Sequence, residues 1–437
     1  MNLERQLREL KKASGTRNRD LALEKTLDYL RRLEQPPAPK KLPAQRAAKG
    51  IEEYVEGTTP HNAQGEYFLA QQALPFGRPY GKLCIGDIAA ADLTPLNLFL
   101  PDSPLPDPSR IVYLDTETTG LAGGTGTCAF LIGVGTVEGS KFVVRQFFLR
   151  DYPEEKAALA ALAELLADYE GLATFNGKTF DVPLLETRYA LARMKSPFGR
   201  LRHLDALHPA RRLWKLRLES CKLTDLEQAV LGIHREGDIP GSEIPGVYFD
   251  YLRTGDARGL QPVFYHNALD IVTLAALTVE LAKALGDAGA RTLDSPLDLF
   301  SLSRIFDKAG ATEHAVETCK RALDSGLPPT VETRALWHLA SQYKRKRQHE
   351  LAVELWLELT HREPPLSLEA FEELAIYYEH RRRDARTALA FTEAALERLA
   401  GDSPLTSHQA RFTHRRARLQ KKSAHGSSRS RLPLAPS

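Results

Sequence analysis

Residues 111–120 are IVYLDTETTG, an apolar run that ends in acids and a Thr-Gly turn. Ile111 to Leu114 form the short apolar run that a buried strand needs, and carboxylates enter it at Asp115 and Glu117. Residues two apart in a strand face the same side, so these two carboxylates project together. Like charges held that close repel unless a cation sits between them, and hard oxygen ligands suit Mg²⁺ or Mn²⁺. The plain alternative is a polar strand end running into a Thr-Gly turn.

Working outward, FLIGVGTV and KFVVRQFFL continue as two further strands. EEKAALAALAELLADY then has apolar residues at helical spacing with no breaker, and GLATFNG returns as a short strand. This βββαβα order predicts an α/β fold, a mixed sheet flanked by helices. GGTGT at 123–127 lacks the Gly-Lys-Ser/Thr that completes a phosphate-binding P-loop, so it reads as a hairpin turn.

Two more motifs carry acids. In FNGKTFD (175–181) a strand delivers an Asn-Gly turn and then Asp181 at the start of the helix DVPLLETRYALARM; Asp181 alone would pass for its N-cap. In YHNALDI (265–271) four-residue spacing puts His266 and Asp270 on one helix face. Asp205, beside His203, reads as a structural hydrogen-bond acceptor. Residues 200–222 hold seven Lys/Arg, including Arg211 and Arg212, around Trp214. They fit either a groove tracking a single-stranded backbone or one solvated helix face over a core tryptophan.

DTETTG, FNGKTFDVPLL and YHNALDIVTL, in that order, resemble the three exonuclease motifs of the DEDD superfamily of ribonuclease H-like nucleases. The second is similar to the corresponding motif in the proofreading domain of family B DNA polymerases. LAGGTGTCAFLIGVG, HLDALHPARRLWK and HREGDIPGSEIPGVYFDYLRTGD resemble the bacterial YprB-like family of expected exonucleases with tetratricopeptide repeats, and this likeness covers about residues 50 to 400. The resemblance implies that Asp115 bridges two metal ions, that Glu117 and Asp270 complete the site activating water, and that Asp181 serves the second metal. Cations about 4 Å apart would stabilise both oxygens of an in-line phosphodiester displacement. Asn176, Lys178, Arg211 and Arg212 are the expected nucleic-acid contacts.

The water-orienting residue departs from both patterns of the superfamily. Tyrosine-type members place Tyr four residues before the last Asp and histidine-type members place His five before; here Tyr265 is five before Asp270 and His266 four. On a helix an offset of four is about 40° from eclipsed and an offset of five about 140°. His266 is therefore predicted in the catalytic position, with Tyr265 as the rival through a local helix distortion.

Beyond residue 290 the chain turns helical and repeats. Ala315, Ala352 and Ala388 recur at near-constant spacing, as do Ala340 with Ala375 and Tyr343 with Tyr378, and Pro328 and Pro364 close the first two units. Small residues at fixed places in helix pairs resemble tetratricopeptide repeats, and generic helical hairpins are the alternative.

The whole chain has 437 residues, enough for two to four domains at roughly 100 to 200 each, and 43% hydrophobic residues exclude wholesale disorder. Its expected division is a basic leader, partly helical or disordered, at 1–50; a small β-rich segment with hairpins at 51–105; the nuclease domain at 106–288; the repeats at 289–400; and a basic disordered tail at 401–437. Residues 1–50 carry 13 Lys/Arg against 6 Asp/Glu and residues 403–437 carry 8 against none, around an acidic body. Basic arms attract polyanions, or are solvated tails. No run spans a bilayer and the start lacks a secretory core, so no membrane contact and a cytoplasmic location are expected. The four scattered cysteines argue against a zinc ribbon or a disulfide framework.

The expected function is a two-metal 3′ to 5′ exonuclease acting on single-stranded DNA or RNA ends, with a protein partner recruited through the repeats. An inert nucleic-acid or protein binding scaffold and an endonuclease on the same fold are the alternatives.

Overall fold

Along IVYLDTET, Ile111 and Tyr113 point one way and Val112 and Leu114 the other, and all four are buried. A strand buried on both faces belongs in the middle of a sheet covered on both sides. The computed structural model describes residues 49–100, 102–120, 126–286, 293–399 and 406–428, and has that arrangement. Seven strands form the sheet: β1 (Gly57–Thr58), β2 (Phe68–Pro75), β3 (Ile111–Thr118), β4 (Ala129–Glu138), β5 (Lys141–Phe148), β6 (Gly171–Thr174) and β7 (Arg202–Asp205), in the order β1-β2-β5-β4-β3-β6-β7. β3, β4 and β5 form an antiparallel meander, whereas β6 and β7 run parallel to β3. The sheet is mixed, as the element order predicts.

One face packs against α1 (Glu155–Leu166), α2 (Asp181–Leu191) and α4 (Ile244–Thr254), through Leu159, Leu185 and Tyr248 onto Val112 and Leu114. The opposite face packs against α3 (Leu207–Trp214) and most of α5 (Gln261–Leu285), through Trp214, Ile271 and Ala275 around Tyr113. The alternating Gly133 and Gly135 of FLIGVG explain how α5 lies so close to β4: a Cβ would run into the Asn267 amide at the first and Ile271 at the second.

Two expected boundaries are corrected. Residues 51–105 contain the expected small hairpins, His61–Asn62 with Gly65–Glu66 and Pro79–Tyr80 with Leu83–Cys84. They are not set apart, however, because β2 pairs with β5 along its whole length and extends the central sheet. The second correction concerns the tail, expected to be disordered. Thr406–Ser428 is a helix, α12, packed on the last helical pair. Phe412 and Leu419, seven residues apart, are its buried anchors. The expected leader falls almost wholly on residues 1–48, and part of GGTGT on 121–125; both lie outside the described residues.

Between the sheet and α12 run α6 (Pro296–Lys308), α7 (Thr312–Asp324), α8 (Pro329–Arg345), α9 (His349–Leu359), α10 (Leu366–His380) and α11 (Ala385–Leu399). Successive helices pack as pairs, and the periodic alanines Ala315, Ala340, Ala352, Ala375 and Ala388 are all fully buried. This helical region is tied to the sheet domain: α6 packs on α3, and Arg217 pairs with buried Asp298 at 2.7 Å. Among the described residues no helix is long and apolar enough to cross a membrane.

Candidate active site

Strand parity places Asp115 and Glu117 on the α5 side of β3, in line with Ile111 and Tyr113. Thr116 faces the other way, and its hydroxyl donates to Asp181 Oδ1 at 2.5 Å where α2 begins. The turn leading to Asp181 is fixed by Asp205, at the end of β7. Its carboxylate accepts from the backbone N–H groups of Asn176 at 2.8 Å, Lys178 at 3.1 Å and Leu207 at 3.1 Å, while Asn176 takes a left-handed φ of 67°. Asp205 is thus a structural acceptor. From α5, Asn267 Nδ2 donates to Asp115 Oδ2 at 3.0 Å, and Gln146 on β5 holds Asn267 by donating to its Oδ1 at 2.9 Å. His266 Nε2 lies 3.5 Å from Asp270 Oδ2 and 4.0 Å from Glu117 Oε1. Asp115, Glu117, Asp181, His266 and Asp270, from three distant motifs, therefore meet at one end of the sheet.

The carboxylates feel one another. Burial, then the charges of Asp270, Asp181 and Glu117, hold Asp115 well above the usual carboxylate range, against a smaller opposing effect of the Asn267 hydrogen bond. Glu117 is pushed up to about 9 by burial and then by Asp270, Asp181 and Asp238. Asp181 is raised to about 6 by burial, in spite of the hydrogen bonds from Thr116. Facing this acidity is Arg235, only 7% exposed, which reaches Asp270 and Glu227 at 2.5 Å each and Asp238 at 3.0 Å. Burial alone would ease its proton off, but the charges of Asp270 and Glu227 outweigh that and raise its pKa. Glu227, almost fully buried, also accepts from the hydroxyls of Tyr80 at 2.9 Å and Thr273 at 2.8 Å.

Among the described residues no three His, Cys, Asp or Glu side chains already stand as the ligand shell of a metal ion. One oxygen each of Asp115, Asp181 and Asp270 is engaged by Asn267, Thr116 and Arg235. The donor chemistry nonetheless fits a hard divalent cation: four carboxylates share a buried space, and one guanidinium, divided among three acids, is too little positive charge to balance them.

The other sequence-predicted residues lie elsewhere. Tyr265 is 44% exposed, whereas its neighbour His266 is buried. Lys178 is exposed on the turn before α2. Arg212 sits over the Phe99 ring at 5.2 Å, in a cavity lined by Val279, Ala282, Lys283 and Leu285 at the far end of α5, at least about 14 Å along the helix from Asp270. Arg211 is exposed on α3 and is not brought to the acids by any contact described. Trp214 is a core residue, 2% exposed, and the surrounding cations are dispersed: Arg217 binds Asp298, Arg202 lies 3.8 Å from Glu170, and Arg200 donates to the carbonyl of Tyr169.

Sequence reading missed Arg235, Asp238, Glu227, Asn267 and Gln146. The first two lie in HREGDIPG, which carries a family likeness but no motif of its own, and Asn267 lies inside the third motif beside the histidine.

Residues 112–282 match the family described as the RNase_H superfamily. Together with the mixed sheet and its flanking helices, the match places the chain among proteins with a nuclease-like, RNase H-like fold. More narrowly, the chain belongs to the family of the uncharacterized protein YprB of Bacillus subtilis (strain 168), to which it is 32% identical over 294 residues, 66% of this chain and 69% of the relative. Among solved structures it is similar to the family B DNA polymerase from the hyperthermophilic archaeon Pyrobaculum calidifontis, at 15% identity and a TM-score of 0.31, over 50% of this chain and 29% of the polymerase chain.

Proposed function

We propose that the protein is a divalent-cation-dependent nuclease that removes nucleotides from the 3′ ends of single-stranded DNA or RNA. The observation that carries this is the convergence of Asp115, Glu117, Asp181 and Asp270 with His266 at one end of an RNase H-like sheet. Those four carboxylates would hold two Mg²⁺ or Mn²⁺ ions, which, when bound, stabilise charge on the attacking and leaving oxygens of the phosphodiester. The chain's own groups do the rest. Asn267 and Thr116 orient Asp115 and Asp181, Arg235 fixes Asp270, and His266 takes a proton from the attacking water at Nε2. Tyr265, exposed, is left free of that role. Asn176 and Lys178, on the turn before Asp181, contact the incoming strand.

The paired helices from α6 to α11, with the periodic alanines buried, support a tetratricopeptide-like array over about 289–400. It recruits a protein partner or steers substrate to the nuclease domain at about 106–288. Matched DNA and RNA oligonucleotides labelled at either end test the reading. With Mn²⁺ the purified chain should shorten them stepwise from the 3′ end, and Asp115→Ala should stop it. Cutting of circular substrates would make it an endonuclease, salt-sensitive binding without turnover would make it a scaffold, and undiminished cleavage by Asp115→Ala would sink the site.

A further inference from the structure

The loop after the π turn Glu227–Leu231 carries Arg235 and Asp238, and neither belongs to the three acid motifs. Both reach into the site from outside. The Asp238 carboxylate lies 2.9 and 3.0 Å from His266 Nδ1, accepts from its following backbone N–H, at Ile239, at 2.9 Å, and from Arg235 at 3.0 Å. An ionised carboxylate has only acceptor oxygens, and this one already accepts from the N–H groups of Arg235 and Ile239. Nδ1 must therefore carry the imidazole proton, which leaves the Nε2 lone pair on the side of Glu117 and Asp270.

Arg235 makes the arrangement rigid. It is anchored by Glu227, which Tyr80 and Thr273 hold in turn, and from there it grips Asp238 and Asp270 with different nitrogens. One planar guanidinium thus sets the spacing between the carboxylate that orients His266 and the carboxylate that His266 faces. A lysine could not hold the three carboxylates at these fixed separations, because its three N–H donors radiate from one freely rotating nitrogen instead of a rigid plane.

We propose that Asp238 and Arg235 are positioning residues of the reaction, with Asp238 selecting the Nδ1–H tautomer of His266 and Arg235 locking Asp238 and Asp270 in one frame. The proposal rests on the nuclease reading above for its kinetic part and on hydrogen bonding alone for its tautomer part. Carboxylates behind a metal-bound histidine typically change activity by about 10- to 100-fold when removed, and an effect of that order is expected behind His266.

The test uses the full chain labelled with ¹⁵N-histidine, with the His266 ring signals identified by their loss in His266→Gln. In the wild type, without added metal or nucleic acid, Nδ1 should be the protonated nitrogen. In Asp238→Asn a single oxygen remains for Arg235, Ile239 and His266 together, so the population should shift towards Nε2–H. The same variant should lose about 10- to 100-fold in kcat, with KM and Mn²⁺ affinity within about threefold of wild type. Asp238→Glu should recover part of the rate. An Nε2–H tautomer in the wild type overturns the proposal whatever the variants do, as does an unchanged tautomer or an unchanged kcat in a folded Asp238→Asn. A wild type that cleaves nothing overturns the nuclease reading instead, and the tautomer comparison then decides the role of Asp238 by itself.

Discussion

Two buried sets of carboxylates in this molecule are treated in opposite ways. On α10, Glu379 is almost fully buried, yet Arg418 and Lys422 reach it at 2.6 Å and Arg415 at 3.3 Å, all from α12. Burial pushes its carboxyl up, but those hydrogen bonds and charges prevail and its pKa falls below the ordinary value. At the end of the sheet four carboxylates crowd together with one shared arginine, and the pKa values of three of them rise. The balanced set is a structural joint, closed by the protein itself. The unbalanced set is costly unless something positive is added, which is why we propose it as the place where a cation binds.

The largest effect expected from this contrast is at the strand. Asp115→Asn should lower nuclease activity by at least about 10³-fold, or about 4 kcal/mol of barrier, in single-turnover cleavage of an end-labelled oligonucleotide. The same variant should raise the melting temperature of the metal-free protein at pH 8, because it removes one of the repelling charges.

At the joint the expectation reverses. Glu379→Gln strips three cations of their shared partner and should cost about 3 kcal/mol of docking for α12, read as new tryptic cleavage within that helix. Cleavage of short oligonucleotides should continue at the wild-type rate.

The pH dependence separates the two regions further. Glu117 moves from 4.5 to about 9 and Asp181 from 3.8 to about 6, so the folded state binds these protons more tightly than the unfolded chain. Their contribution to stability is complete below about pH 4 and is lost as the pH rises through 6 and on to 9. Metal-free protein should therefore melt at a falling temperature across that window, and saturating Mn²⁺, about a hundredfold above Kd, should restore about 2.7 kcal/mol for each ion bound. Differential scanning at several pH values would show it. Smallest of all, Tyr265→Phe should change the rate by less than about threefold, since the hydroxyl belongs to an exposed ring, whereas His266→Ala should cost about 10²-fold or more in the same assay.

The acids were legible in the sequence because their geometry is local. Parity in a strand puts Asp115 beside Glu117, and a four-residue offset puts His266 over Asp270, whatever the rest of the chain does. The βββαβα order likewise carried the mixed sheet. What answers the acids was not legible, because it is set by tertiary contact: Arg235 reaches Asp270 across 35 residues, and Gln146 reaches Asn267 across 121. The tail misled for a related reason. Basic composition without acids reads as a solvated arm, but Arg411, Arg415, Arg418 and Lys422 recur on one helical face, and their partners Glu369, Glu372 and Glu379 stand on another helix at matching spacing. The β-rich segment seemed separate because the sequence names no pairing partner for Phe68–Pro75, which β5 supplies from about seventy residues on.

If the acid set at the end of the sheet binds cations, calorimetric titration of Mn²⁺ into the metal-free full chain at pH 8 reads that binding without any assay of cleavage. Two equivalents should bind, abolished or reduced to one by Asp115→Asn and left intact by Glu379→Gln. Absence of binding in the wild type, or binding that Asp115→Asn leaves unchanged, would contradict it.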